Sequence, residues 1–197
     1  DRTAVTVRWP VTVGVPFANG AIMPDTPIAL TGAGGQPVPV QTKTLGEWRV
    51  GAKTPKWVLL DFQTDVARNL PKRLRVRAGK QPAKATPIRI QETPETITVD
   101  TGAVSFWVSK KNFNFIEGVS LSDRRQVLKG SSLYWVRDAG RRYADRPHGN
   151  SVVTLETRGP LRAVIRAEGW YAPVDGADER RMRYQVRIAA FAGLPYL

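Results

Sequence analysis

The sequence predicts a mostly antiparallel, all-β protein, and three observations carry that reading. Apolar and polar residues alternate with a period of two through most of the chain. No stretch of a dozen residues keeps a 3.6-residue period bounded by helix caps. Glycine and proline clusters fall between the alternating runs, where tight turns are needed.

The strands can be justified in order. "TAVTVRWPVTVGV" alternates from the start. "KWVLLDFQTDV" is a short apolar run of the kind found in a strand buried on both faces. In "KRLRVRAGK", Leu74 and Val76 share one face and Arg73, Arg75 and Arg77 the other. "TITVDTGAVSFWVSK" puts Val104, Phe106 and Val108 on one side. "SVVTLETRGPLRAVIRAEGWY" and "RMRYQVRIAAFAG" complete the series. Between them, "TGAGGQPVP" and "LPKR" read as turns, and Asp175-Gly176 falls in the connection between the last two strands. The sharpest change in composition is "KQPAKATPIRIQETPET", with three prolines and no sustained apolar face. It places a domain boundary near residue 92, giving a first domain over 1–92 and a second over 93–197.

Composition narrows the function classes. Of 197 residues, 42% are hydrophobic, enough for a packed core and against disorder. No apolar run is long enough to span a bilayer, so no membrane partner is expected. The absence of cysteine excludes disulfides, thiolate metal sites and cysteine nucleophiles. His148 is the sole histidine, which excludes a multi-histidine metal site. "TGAGGQ" leads into neither a helix pattern nor a Lys-Ser/Thr pair, so it is a hairpin turn and not a phosphate loop. No metal or other cofactor is expected. The N-terminus lacks the pattern of a signal peptide. The C-terminus, "FAGLPYL", is apolar to its last residue, unlike the polar ends of most domains. It leads us to expect the N-terminal part of a longer protein.

Formal net charge is +13. Residues 1–95 hold 14 Lys/Arg against 7 Asp/Glu, and residues 96–197 hold 16 against 10. Charge spread in this way suits a polyanionic partner, although it also serves solubility. Two arginine patterns stand out. On "LRAVIRAEGWY" and "RMRYQVRIAA", Arg162 and Arg166 would meet Arg181, Arg183 and Arg187 on the polar side of a hairpin. Like charges directly opposite each other are destabilising. Either Glu168 and Glu179 interleave with them or an anion covers the face. The second pattern is "SSLYWVRDAGRRYADRPH". Here Tyr134, Trp135 and Tyr143 lie among Arg137, Arg141, Arg142 and His148. Flat rings stack on sugars or bases, and guanidinium groups pair bidentately with carboxylate or phosphate. These seven residues are the substrate-binding candidates, with a buried role open for Trp135. No catalytic residue can be named. Asp61, inside "VLLDF", would be buried and would need a hydrogen-bond partner.

Three ordered motifs carry a family resemblance. The first is Gly14-Val15-Pro16-Phe17 with Gly20. The second is Gly35, Val38, Pro39 and Gln41. The third is Trp48, Trp57, Leu60, Asp61 and Phe62. In this order they resemble the N-terminal domain of the PcRGLX/YetA-like family, relatives of rhamnogalacturonan exo-lyases. The third motif departs from the family: "WRVGAKTPKW" stands where "WPDGSVKW" is usual, so the role of that acid is left open here. "ITVDTGAVSFWVSKKNFNFIEGVSL", "TLETRGPLRAVIRAEGWY" and "YQVRIAAFAGLPYL" are similar to strands of the family's second module.

The resemblance implies a small RIFT-type β-barrel, then an incomplete antiparallel β-sandwich, with a helical toroid domain missing. On that reading "GVPFANGAI" is a barrel turn in which Phe17 plugs the core. The implied protein is a secreted or periplasmic bacterial polysaccharide lyase acting on acidic, uronic-acid-containing polysaccharide. This chain alone is expected to be inactive, its partners being the polysaccharide and the toroid. The alternatives are a non-catalytic carbohydrate-binding or assembly module and, less favoured, a nucleic-acid-binding β-barrel.

Overall fold

The computed structural model describes residues 7–51, 53–67, 71–79, 85–131, 133–136, 142–144, 151–175 and 180–197. Every regular element among them is a β-strand, and every strand pair is antiparallel. The chain divides into two compact units, Asp1–Ala85 and Thr86–Leu197. The division precedes the expected boundary near 92. Arg89–Glu92 is a strand of the second unit, and Pro94 after it falls in the turn that pairs it with the next strand.

The first unit contains β1 (Val7–Pro16), β2 (Ile28–Thr31), β3 (Pro37–Val38), β4 (Val40–Glu47), β5 (Pro55–Val66) and β6 (Arg75–Ala78). They form two sheets, β1-β5-β4 and β3-β2-β6. Val58, Leu60 and Phe62 on β5 share a core with Ile22, Ile28 and Leu30. Val11, Val15, Val38, Val40, Leu74 and Val76 close around that core, as does Phe17. The remaining parity of β5 carries Asp61, which is buried and accepts a 2.5 Å hydrogen bond from the Thr12 hydroxyl of β1. The register sets Thr12 directly opposite it.

"GVPFANGAI" is structural. The Phe17 amide donates to the Lys56 carbonyl (2.9 Å), and the Trp48 indole N–H donates to the Phe17 carbonyl (3.0 Å). Thr54, 1% exposed, accepts the Gly20 amide (3.1 Å) and donates its hydroxyl to Asn19 Oδ1 (3.0 Å). Gly20 has φ +77°, a conformation in which a Cβ is strained. The first and third sequence motifs are thus two sides of one hydrogen-bonded clamp. The lengthened "WRVGAKTPKW" is accommodated because the Trp48 amide donates to the Thr54 carbonyl at 2.9 Å and closes the loop.

The second unit begins with a five-stranded meander. It comprises β7 (Arg89–Glu92), β8 (Thr96–Asp100), β9 (Val104–Ser109), β10 (Gly118–Leu121) and β11 (Gln126–Lys129), in the order β11-β10-β9-β8-β7. Then come β12 (Tyr134–Val136), β13 (Arg142–Ala144), β14 (Val152–Arg158), β15 (Arg162–Trp170), β16 (Ala172–Pro173) and β17 (Arg183–Phe191). These form the sheets β14-β15-β17 and β12-β13-β16. Ile97, Val99, Phe106 and Val108 of the meander are fully buried, as are Phe113, Ile165, Ala167 and Ala190. The predicted alternation of Val104, Phe106 and Val108 is the core face of β9.

The ends of the second unit are tied to the meander. Thr101 donates its hydroxyl to the Leu194 carbonyl (3.0 Å), and the Gly193 amide donates to the Thr101 carbonyl (2.6 Å). Ala192 and Leu194 are buried, which accounts for the apolar character of this stretch. Rings of Phe113 and Tyr184 stack at 5.9 Å between centroids.

The clamp can be tested directly. Thr54→Val leaves the Gly20 amide and Asn19 Oδ1 without their partner, and should destabilise the first unit by about 1–3 kcal/mol in denaturant unfolding. Thr54→Ser should recover most of that loss. An unchanged midpoint for Thr54→Val would show that the clamp carries no stability.

Candidate functional site

The arginine-rich face predicted for β15 and β17 exists, and carboxylates interleave with it. Arg166 stands directly opposite Arg187 in the register. Glu168 accepts hydrogen bonds from Arg166 (2.7 Å), Arg183 (3.2 Å) and Gln185 (3.3 Å). Glu156 on β14 takes Arg187 bidentately at 2.6 and 3.0 Å. Glu92 joins Lys110 (3.2 Å) to Arg158 (2.9 Å). The charges respond accordingly. The Arg166 hydrogen bond, helped by Gln185, holds Glu168 below the usual carboxylate range, and that from Lys110 does the same for Glu92. Glu156 raises Arg187. On this face Arg166, Arg183 and Arg187 are each ion-paired to a strand glutamate; Glu179, the other candidate acid, lies outside the described residues.

The aromatic-arginine segment is only partly described. Tyr134 and Trp135 lie on β12, paired with Ala144 and Tyr143 of β13. Arg142 is exposed on β13, and Tyr143 beside it is fully buried. The structure therefore sends these two neighbours to opposite environments. Arg137, Arg141 and His148 lie outside the described residues.

A different surface gathers polar groups with little internal pairing. On the meander's outer face, Arg89 of β7 is opposite Asp100 of β8, Asp100 is opposite Ser105 of β9, and Ser105 is opposite Ser120 of β10. Strand parity dictates this row: Arg89, Asp100 and Ser105 each neighbour a core residue of the opposite face. Ser122 and Arg124 follow in the β10–β11 turn, and Thr86 and Pro87 lead into β7. Together they line a groove of about 550 Å³. Arg124 has φ +65°, an uncommon conformation for a side chain of this size. The turn that imposes it is closed by the Arg124 amide donating to the Leu121 carbonyl at 2.9 Å. Asp123 accepts the Arg125 amide (2.9 Å) and serves the same turn.

The electrostatics of this groove differ from those of the β14-β15-β17 face. Its one carboxylate, Asp100, accepts the Gly102 amide at 2.8 Å. Among the described residues, neither the Arg89 nor the Arg124 guanidinium has an ion pair. Two such guanidinium groups beside three serine hydroxyls suit an anionic, polyhydroxylated ligand. Among the described residues there is no group of three or more His, Cys, Asp or Glu able to hold a metal. Sequence reading missed this groove because its members come from four strands and a turn. The available signal was parity: Ser105 and Asp100 fall on the polar side of the most regular alternation in the chain.

The fold and the groove define a class, a two-module β-protein with a cationic, hydroxyl-lined face on its second module. Comparison with known proteins gives the family. The PcRGLX-like protein central beta sandwich domain matches residues 88–197, and the PcRGLX-like N-terminal RIFT barrel domain matches residues 1–60. The chain belongs to the PcRGLX-like family, with its first unit the RIFT barrel and its second the β-sandwich. It is 25% identical over 192 residues to the uncharacterized protein YetA of Bacillus subtilis (strain 168). The match covers 93% of this chain and 22% of that protein, so the chain spans about a fifth of its relative's length.

The ion-paired face sets a pH dependence. Glu92 and Glu168 are held below the ordinary glutamate value of 4.5, so their stabilisation is complete above it and is lost as pH falls through the lowered values. Thermal unfolding should shift downward below about pH 4.5. Glu92→Gln/Glu168→Gln should flatten that dependence, and a profile identical to the parent's would contradict it.

Proposed function

We propose that this chain is the accessory, polysaccharide-holding part of a rhamnogalacturonan lyase-related protein, and that it binds acidic, uronate-containing polysaccharide without cleaving it. The observation that carries this reading is the pair of arginines, Arg89 and Arg124, which share one carboxylate, Asp100, and have no ion pair among the described residues, in a groove lined by hydroxyls. A guanidinium takes a sugar carboxylate bidentately, while serine hydroxyls exchange hydrogen bonds with the sugar's own. Family membership supports the same substrate class.

Cleavage of a uronate glycoside by β-elimination requires a base to remove the proton α to the carboxylate, and a cation to tolerate the enolate. The groove supplies cations, but its one carboxylate among the described residues, Asp100, already accepts the Gly102 amide in a turn. It is built to hold the polymer, with elimination performed elsewhere in the parent protein. A polymer of this kind lies outside the cell, which fits a secreted or periplasmic protein with the toroid domain as its covalent partner.

Binding of polygalacturonate to the 197-residue chain should weaken as salt rises, and no unsaturated product should appear in the ultraviolet. Arg89→Ala/Arg124→Ala should reduce low-salt affinity at least tenfold, since hydrogen bonds to charged groups contribute about 1.5–3 kcal/mol each. Arg183→Ala, on the ion-paired face, should change it little. Equal binding by the double variant, or displacement of the polysaccharide by duplex DNA at lower concentration, would overturn the reading.

A further inference from the structure

The same outer face continues past Ser105, and its far end has a different chemistry. Trp107 is opposite Gly118 of β10. A Cβ built on Gly118 would lie 2.2 Å from Trp107 Cζ2, 2.5 Å from Cη2 and 2.8 Å from Cε2. The distances rise only slightly to the two flanking atoms, so the point lies over the ring plane and not off its edge. The indole is therefore laid face-down on the strand, and only glycine leaves room for it. Its other face is turned away from the sheet, into a second groove of about 570 Å³.

Asn114 lines that groove and is 8% exposed, yet its side-chain Oδ1 has no hydrogen-bond partner. A buried amide oxygen without a donor is costly and uncommon in native proteins. Its neighbours in the groove, Asn112, Thr96 and Ser109, are uncharged, and the Glu117 carboxylate that also lines it disfavours an anionic ligand. Lys111 at the rim is paired with Glu95 at 3.0 Å, so the rim offers no uncompensated cation from it. Here the shape is a flat apolar platform beside an unsatisfied acceptor. A pyranose ring has the complementary surface, with C–H groups on one face and hydroxyl donors at its edge.

We propose that Trp107 and Asn114 form a second subsite for a neutral pyranose, which stacks on the indole and donates a hydroxyl to Asn114 Oδ1. Ser105 of the cationic groove and Ser109 of this one are four residues apart on β9, about 13 Å of strand. Both subsites therefore lie along one line of the sheet, and one extended polymer can occupy both. The polymer part of this proposal rests on the polysaccharide reading above. The platform and the orphan amide stand on their own geometry.

Calorimetric titration of the 197-residue chain with oligosaccharides of the rhamnogalacturonan backbone separates the two subsites by salt. At low salt the arginine groove dominates. In high salt the charge contribution is screened, and the remaining affinity comes from stacking and neutral hydrogen bonds. In high salt, Trp107→Leu and Asn114→Ala should each lower affinity about three- to tenfold. Trp107→Phe should keep most of the parent's affinity, because it retains a flat ring. Asn114→Ala should unfold at or near the parent's temperature, since it removes a group that had no partner; this variant and Trp107→Phe keep the test valid if Trp107→Leu folds poorly. Unchanged high-salt affinity in Asn114→Ala, or a loss in Trp107→Phe as large as in Trp107→Leu, would overturn the subsite while leaving the arginine groove intact. No binding by the parent chain at either salt would overturn both.

Discussion

Successive side chains of a strand leave on opposite faces, and most of what this protein can do follows from that constraint. On β9, one parity holds Val104, Phe106 and Val108 in the core, so Ser105, Trp107 and Ser109 have no choice but to face outward. Antiparallel register then decides what each outward residue meets. Ser105 meets Asp100 and Ser120, while Trp107 meets Thr98 and Gly118. A slip of one residue would bury the serines and expose Phe106.

The same rule separates two kinds of positive surface. On β15 and β17, register brings Arg166 against Arg187, a repulsive pair unless acids stand nearby. Glu156 and Glu168 do stand there, so this charge is absorbed into holding three strands together. On the meander, Arg89 and Arg124 share a groove with one acid already committed to a turn. A net charge of +13 spread over both units does not distinguish these cases; the pairing does. The proposed binding face is therefore the one whose guanidinium groups have no ion pair among the described residues, and the face where they are paired holds its strands together.

Much of the fold was legible because its signals are local. The alternation of β8, β9, β15 and β17 reads directly from sequence, whereas the packing of Phe17 against the core was implied by the family resemblance. The conditional expectation for the arginine hairpin also held, with Glu168 interleaving as anticipated and Glu156 of a third strand completing the pairing. Two things were less accessible. The proline-rich stretch marked a change of unit, but Arg89–Glu92 within it is a strand; Pro94 falls in the turn that pairs it with β8, where the Thr93 hydroxyl accepts the Glu95 and Thr96 amides. The candidate site is assembled from four strands and a turn, so no contiguous motif announces it. The densest aromatic-arginine segment drew attention instead, and its best-described aromatic, Tyr143, is buried. Trp107 was visible all along as a large ring on the polar parity of an amphipathic strand, but its meaning depends on Gly118 across the sheet.

Amide-resolved NMR of the 15N-labelled chain during titration with galacturonate oligosaccharides tests the central claim most directly. The largest shifts should fall on Arg89, Asp100, Ser105, Ser120 and Arg124, in one row across the meander and its adjoining turn. Shifts confined to Arg166, Arg183 and Arg187, or to the 134–148 segment, would contradict the account and move the binding face to another sheet.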